Sequence, residues 1–137
     1  MRLNPNCIRA VLLYVEENAK FTTRADSIKK PTNIVFHDLY NSPELKKFSE
    51  DDVYYSVLKL FEGQYISGTL QLRGNVTIMY CDIDGITLEG HDLLDNIRDN
   101  SVWNKTKESL SGVASVSLKI MSKVAGAVAA EYVKAMM

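Results

Sequence analysis

An α+β fold is predicted from three features of the chain. Apolar residues recur at helical spacing in two early segments, Ile8, Val11, Leu12, Val15 and Ala19, then Tyr54, Val57, Leu58 and Phe61. Between residues 66 and 83 the pattern changes to alternation on either side of Arg73-Gly74-Asn75, as in a β-hairpin. The resulting order of helix, short strand, helix, hairpin and helix is that of a winged helix-turn-helix domain, here followed by a C-terminal helix. In such a domain the helix before the hairpin is the usual recognition helix and the hairpin is the wing.

Each element has a local cause. Asn4-Pro5 supplies an N-cap and an N1 proline for a first helix over about 5–19. Its outward residues Arg9, Glu16, Glu17 and Lys20 mix signs as a solvated face does. Thr32 to Phe36 reads as a short strand, and Pro43 to Phe48 as a helical turn. Ser49 and Asp52 form a variant capping box that starts a helix over about 50–62, which Gly63 ends. Burial of Tyr54, Val57, Leu58 and Phe61 would turn Asp52, Tyr55, Ser56, Lys59 and Glu62 outward. In the hairpin, Leu70, Leu72 and Ile78 are expected to face the core and Arg73 to Asn75 to form the tip. Thr87 caps the next helix, which gathers Leu93, Leu94 and Ile97, and a further helix from about Asn100 carries Val102, Trp103, Thr106 and Leu110 inward.

The division expected is a winged-helix domain over 1–110 and an amphipathic helix within 111–137. In that tail Leu118, Met121, Ala125, Val128, Tyr132 and Ala135 follow 3-4-3-4-3 spacing. The stripe predicts self-association of two copies, with docking on the chain's own domain as the competing outcome.

Composition narrows the function classes. The chain has 137 residues, 46% hydrophobic and 24% charged, with net charge -1, which suits one soluble globular domain and not a bulk nucleic-acid packager. Two cysteines 74 residues apart, with no signal-peptide pattern ahead of them, point to a reducing, cytoplasmic setting. The apolar stretch 112–137 is interrupted by Lys119, Lys123, Glu131 and Lys134, so no membrane span is expected.

Chemical motifs are weak. Asp82-Ile83-Asp84-Gly85 after a hydrophobic run resembles the nucleophile motif of haloacid-dehalogenase-like phosphotransferases. However, Ile86 breaks the required Gly-Thr step and too little chain follows for that fold. His37, His91, Cys7 and Cys81 lack the close spacing of a structural zinc site, and no G-x-S-x-G elbow or phosphate-binding glycine loop occurs. His91, at a helix start, is expected to close that helix or pack on the wing. No catalytic residue, cofactor or metal is expected.

Charge is unevenly distributed: residues 1–43 carry net +2, residues 44–99 net -6, and residues 100–137 net +3. The expected recognition unit is therefore the acidic part. A basic rim of Arg24, Lys29, Lys30, Lys46, Lys47 and Arg73, with Tyr55 and Lys59 on the helix, forms the candidate DNA-binding set.

The segment I-T-L-E-G-H-D-L-L-D-N-I-R-D-N-S-V-W-N-K-T-K, residues 86–107, resembles the signature of an uncharacterised family of small proteins carried by phages and prophages. That family is similar to the YjcQ-like winged-helix proteins. M-R-L-N-P-N-C-I-R-A-V-L-L-Y-V-E-E-N resembles its first helix and D-D-V-Y-Y-S-V-L-K-L-F-E-G-Q-Y-I its central one. Members often carry Tyr-His where this chain has Tyr55-Ser56, so no role of that His transfers. The resemblance implies a winged helix and a phage context, without an activity. The expectation is a weak, salt-sensitive DNA-binding homodimer in a regulatory or accessory role. The alternative is a non-enzymatic protein-interaction module acting on host transcription or defence machinery.

Overall fold

The computed structural model describes residues 1–74 and 77–137, with the backbone alone for 77–79. Helix α1 (Pro5–Asn18) starts at Asn4, whose side chain accepts a hydrogen bond from the Cys7 amide at 3.2 Å. It buries Cys7, Ile8, Val11, Leu12 and Val15 on one face. Ala19 falls just past the helix and is half-buried.

Strands β1 (Phe21–Thr23) and β2 (Lys29–Pro31) then form a small antiparallel arm that the sequence did not announce. Its residues are almost all exposed, so no apolar alternation marks it. The turn is held instead by Ser27 at φ 66° and by the Ile28 amide donating to Asp26 Oδ1. Strand β3 (Ile34–Val35) is shorter than the 32–36 expected, because Phe36 already opens helix α2 (Phe36–Tyr40). Residues 43–48 are a run of turns, where a helical turn is expected, and the Lys46 amide donates to Ser42 O at 3.1 Å. They are anchored by the fully buried Leu45.

Helix α3 (Glu50–Glu62) has the expected bounds and cap, the Asp52 amide donating to Ser49 Oγ. Its buried stripe differs from the expected one: Val53, Ser56, Val57 and Leu60 face inward, while Tyr54, Leu58 and Phe61 are half-buried at the margin. The 53-56-57-60 spacing describes a complete helical stripe once a serine is accepted in it, and Tyr54 instead packs its ring 4.4 Å from that of Phe36.

Strands β4 (Ile66–Arg73) and β5 (Thr77–Ile86) make the wing, and β3 pairs with β5 at Ile34↔Ile83 and Val35↔Asp82. The sheet order β3-β5-β4 completes a winged-helix arrangement. Of the expected inward residues Leu70 is half-buried, but Leu72 is 37% exposed, since the outer part of the hairpin extends past the core. Arg73 and Gly74 are exposed at the tip; Asn75 and the Ile78 side chain lie outside the described residues. Gly68, at φ 150°, sits where the register shifts, and a Cβ there would stand 2.1 Å from Asp82 O.

Helices α4 (Leu88–Ile97) and α5 (Asn100–Leu110) bury the seven residues expected of them. Thr87 Oγ1 ties α4 to the turn between α3 and β4 by donating to Gln64 O and accepting from the Gly90 amide. Gly90 is required, because a Cβ there would lie 2.0 Å from Tyr65 O.

Helix α6 (Leu118–Met136) corrects the self-association expectation. Met121, Ala125 and Val128 are buried against α4 and α5 of the same chain, Leu118 packs on the same core, and Tyr132 Oη reaches within 3.5 Å of Ser101 O. A 3-4 stripe of modest side chains fits an intramolecular groove as well as a second copy, and here the groove fills it. The core is continuous across residue 111. No helix among the described residues is long and apolar enough to cross a membrane.

Two substitutions test this packing. Met121→Ala is expected to cost about 2–5 kcal/mol in urea unfolding, with Lys123→Ala within about 0.5 kcal/mol of the unaltered protein. Gly90→Ala, which forces backbone apart, is expected to cost about 1–3 kcal/mol. Equal stability of Met121→Ala and Lys123→Ala would mean that α6 is not docked.

Candidate interaction surface

The eight residues of the expected DNA-binding set are spread over four parts of the fold. Arg24, Lys29 and Lys30 lie on the β1–β2 arm, Lys46 and Lys47 on the turns before α3, Tyr55 and Lys59 on α3, and Arg73 at the wing tip. Several are already engaged. Arg24 pairs with Asp26 at 3.2 Å and Lys29 Nζ donates to Thr23 Oγ1 at 2.7 Å. Lys46 sits 5.4 Å over the Tyr40 ring and Lys47 5.4 Å over Phe48.

On α3 itself, Lys59 pairs with Glu62 at 2.8 Å, which raises its pKa, and lies 5.4 Å over Tyr55. Glu50 and Asp51 are exposed in the first turn, where they suit the helix dipole. The outer face of α3 is flanked by the N-terminal residues and by the connection between α5 and α6. Arg2 and Val116 share with Tyr55, Lys59 and Glu62 a cleft of about 450 Å³, and Met1 closes an adjoining cleft of about 420 Å³ over Tyr54, Tyr55 and Leu58. The helix therefore presents acid, one neutralised lysine and aromatic rings.

A larger cleft, of about 610 Å³, lies on another side. Its floor is the second face of α1, Ala10, Leu13 and Tyr14, and its ends are marked by Phe48 and by Trp103 of α5. Periodicity had assigned that side of α1 to solvent. The signal missed was Arg9, whose role depends on residues nearly ninety positions away. Arg9 donates to Ile97 O at 2.9 Å, Arg98 O at 2.8 Å and Asn100 Oδ1 at 3.0 Å. It thus satisfies the C-terminal carbonyls of α4 and lies 5.6 Å over the Trp103 ring. The Trp103 indole donates to Asn6 Oδ1 at 3.3 Å.

Glu16, also read as solvated, is held by Arg98, which bonds it through both guanidinium nitrogens and reaches Asp95 Oδ1 at 2.8 Å. That hydrogen bonding, more than the nearby positive charge, lowers the Glu16 pKa and raises that of Arg98. His91 stands beside this pair rather than closing α4, and one ligand-capable atom each of Glu16, His91 and Asp95 lies within 4.8 Å of the others. These are the residues most able to hold a metal among those described, but the guanidinium already occupies both carboxylates. Histidine and aspartate at i, i+4 were visible in the sequence; the partner from α1 was not.

The Asp82 motif does not present a nucleophile. Asp82 is buried in the body of β5, where Oδ2 accepts from Tyr80 Oη at 2.8 Å, which raises the tyrosine pKa. Cys7 and Cys81 are free and buried, and burial raises both thiols, Cys81 to about 11. His37 is exposed, 3.6 Å from Asp38.

The model of a family described as Hypothetical protein (DUF2513) matches residues 2–117. The matched segment ends where α6 begins. No curated protein and no solved structure matches the chain.

The Arg98 pair sets a pH dependence. Because the Glu16 pKa is lowered on folding, its contribution is complete above the unfolded carboxylate range and is lost as pH falls through the lower folded value. Both groups are about a third or more exposed, so Glu16→Gln is expected to cost no more than about 1 kcal/mol at neutral pH, with the difference vanishing in acid. A stability difference that grows toward low pH would contradict the pairing. The thiols are expected to resist iodoacetamide in the native protein at about pH 8 and to react in denaturant. Rapid native labelling of Cys81 would show that it is accessible.

Proposed function

Since the chain belongs to the DUF2513 family, whose function is unknown, we propose its role from its surface: a non-catalytic winged-helix module that docks on another protein. The observation that carries this reading is the outer face of α3. Reading DNA with that helix requires cations to neutralise phosphates, and α3 offers Lys59 already bound to Glu62, behind exposed Glu50 and Asp51. The same face offers Tyr55 and Leu58 beside two clefts, a combination of aromatic, apolar and charged groups that suits a protein surface. A phage or prophage setting, with host transcription or defence machinery as the partner, rests on the resemblance of residues 86–107.

A second reading keeps DNA as the partner through backbone contacts alone. It is favoured by Lys30, Lys46, Lys47 and Arg73, which make no ion pair among the described residues. These cations sit on the arm, the turns and the wing tip, so they would grip phosphates without base readout.

Fluorescence anisotropy with a labelled mixed-sequence duplex separates the two. At about 50 mM salt, about 10 µM protein is expected to leave the duplex largely free. Saturable binding below about 1 µM that is lost on replacing Lys30, Lys46, Lys47 and Arg73 with Ala would overturn the protein-docking reading. A photo-crosslinking phenylalanine at Tyr55 is expected to give a protein adduct in cells that survives nuclease treatment.

A further inference from the structure

The β1–β2 arm stands away from the core. Each strand packs extensively only on the other, and every residue from Phe21 to Lys30 is exposed. Two hydrogen bonds at its ends set the phase of the ladder: the Thr32 amide donates to Lys20 O at 2.7 Å and the Arg24 amide to Ile28 O at 2.8 Å. Bonded and unbonded pairs alternate in an antiparallel ladder, so Thr22↔Lys30 is a bonded pair, and Phe21↔Pro31 and Thr23↔Lys29 are unbonded ones. Residues of the unbonded pairs turn their main-chain groups outward.

The two outer edges differ. On β2 the outward residues are Lys29 and Pro31, and the proline has no amide hydrogen to give. On β1 they are Phe21 and Thr23, which present two amides and two carbonyls, none with another hydrogen bond among the described residues. Such an edge is a template for one more strand.

Charge selects that strand. Residues 20–31 carry Lys20, Arg24, Lys29 and Lys30 against Asp26 alone, net +3. Arg24 is paired with Asp26, whereas Lys20 and Lys29 form no ion pair among the described residues. Lys29 leans over β1 to Thr23 Oγ1, which carries its ammonium to within about one strand spacing of the open edge. A second copy of the arm would set like charges side by side. A phosphate backbone accepts hydrogen bonds and donates none, so it would leave both edge carbonyls unpaired. An acidic peptide satisfies the charge, the amides and the carbonyls together.

We infer that the outer edge of β1 takes an extended acidic segment of a partner protein as an added strand, its main chain pairing with Phe21 and Thr23 and its carboxylates facing Lys20 and Lys29. Phe21, 72% exposed, supplies apolar surface for a side chain between those carboxylates. The inference rests on the protein-docking reading, to which it adds a contact away from α3 and the chemistry of the partner's segment.

A displayed library of random peptides about eight residues long, selected on the full chain, tests it. The enriched peptides are expected to alternate Asp or Glu with β-branched or aromatic residues. Made synthetically with single N-methylated amides, they are expected to lose affinity at every second position and to keep it at the positions between, as a strand with one bonded edge does. Thr23→Pro removes an edge donor without touching the arm's own ladder, and affinity is expected to fall about tenfold, while Thr23→Ser stays within about twofold. The doubly substituted Lys20→Gln, Lys29→Gln protein is expected to bind about tenfold more weakly at low salt and to lose most of its salt dependence. It keeps the test informative if Thr23→Pro disrupts the arm.

The inference is overturned if no peptide is enriched, if the enriched peptides are basic or uncharged, if N-methylation acts without alternation, or if binding survives either the Thr23→Pro or the double lysine substitution. Self-association abolished by Thr23→Pro would assign the edge to a second copy, and displacement of the peptide by the mixed-sequence duplex would assign the arm to nucleic acid; each overturns it as well. The duplex titration reports separately on the docking reading. A free duplex with no peptide on the arm removes the added strand alone, and tight duplex binding removes the reading beneath it.

Discussion

Helix α1 is the element on which the others lean. Five of its residues are wholly buried in one stripe, and that stripe meets α3, α4 and β5, so the recognition-type helix, the wing and the C-terminal half share one support. Burying such side chains is worth about 1.5–3 kcal/mol each before conformational entropy is set against it. On its other side, Arg9 reaches the last carbonyls of α4 and Glu16 holds Arg98, so both ends of the α1–α4 contact are fixed by polar groups at the margin of the apolar seam. The chain makes one helix serve as core and as clamp.

This placement explains how the rest of the surface is arranged. With α4 clamped to α1, α5 follows across Asp99, whose carboxylate caps it by accepting from the amides of Ser101 and Val102. The pair α4–α5 then offers the groove that α6 fills with Met121, Ala125 and Val128. The groove that stays open is on the far side of α1. Function in a winged helix lives in what its surfaces carry, and here the helix usually assigned to base reading is acidic while the open groove has an apolar floor.

Much of the fold was legible because it follows from local periodicity. The bounds of α3, the Thr87 and Ser49 caps, and the inward residues of α4 and α5 all come from spacings within four residues. The arm at 21–31 was not legible, since two exposed strands carry no buried alternation. The α3 face was misread by roughly one position because Ser56 is polar yet buried, its Oγ without a hydrogen-bond partner among the described residues and the Cys7 thiol beside it. The tail was read in the right period with the wrong partner, since a stripe does not name what covers it. At the candidate site, the sequence supplied each cation of the rim but not its neighbours. The ties of Arg9 and Glu16 to α4 join positions more than eighty residues apart.

In the role proposed, α3 and the wing do not read DNA. Amide hydrogen exchange of the full chain, with and without excess mixed-sequence duplex at low salt, tests it at the elements concerned. Exchange over 50–62 and along β4 is expected to be unchanged by the duplex. Protection of those two segments by the duplex, lost again as salt is raised, would contradict it.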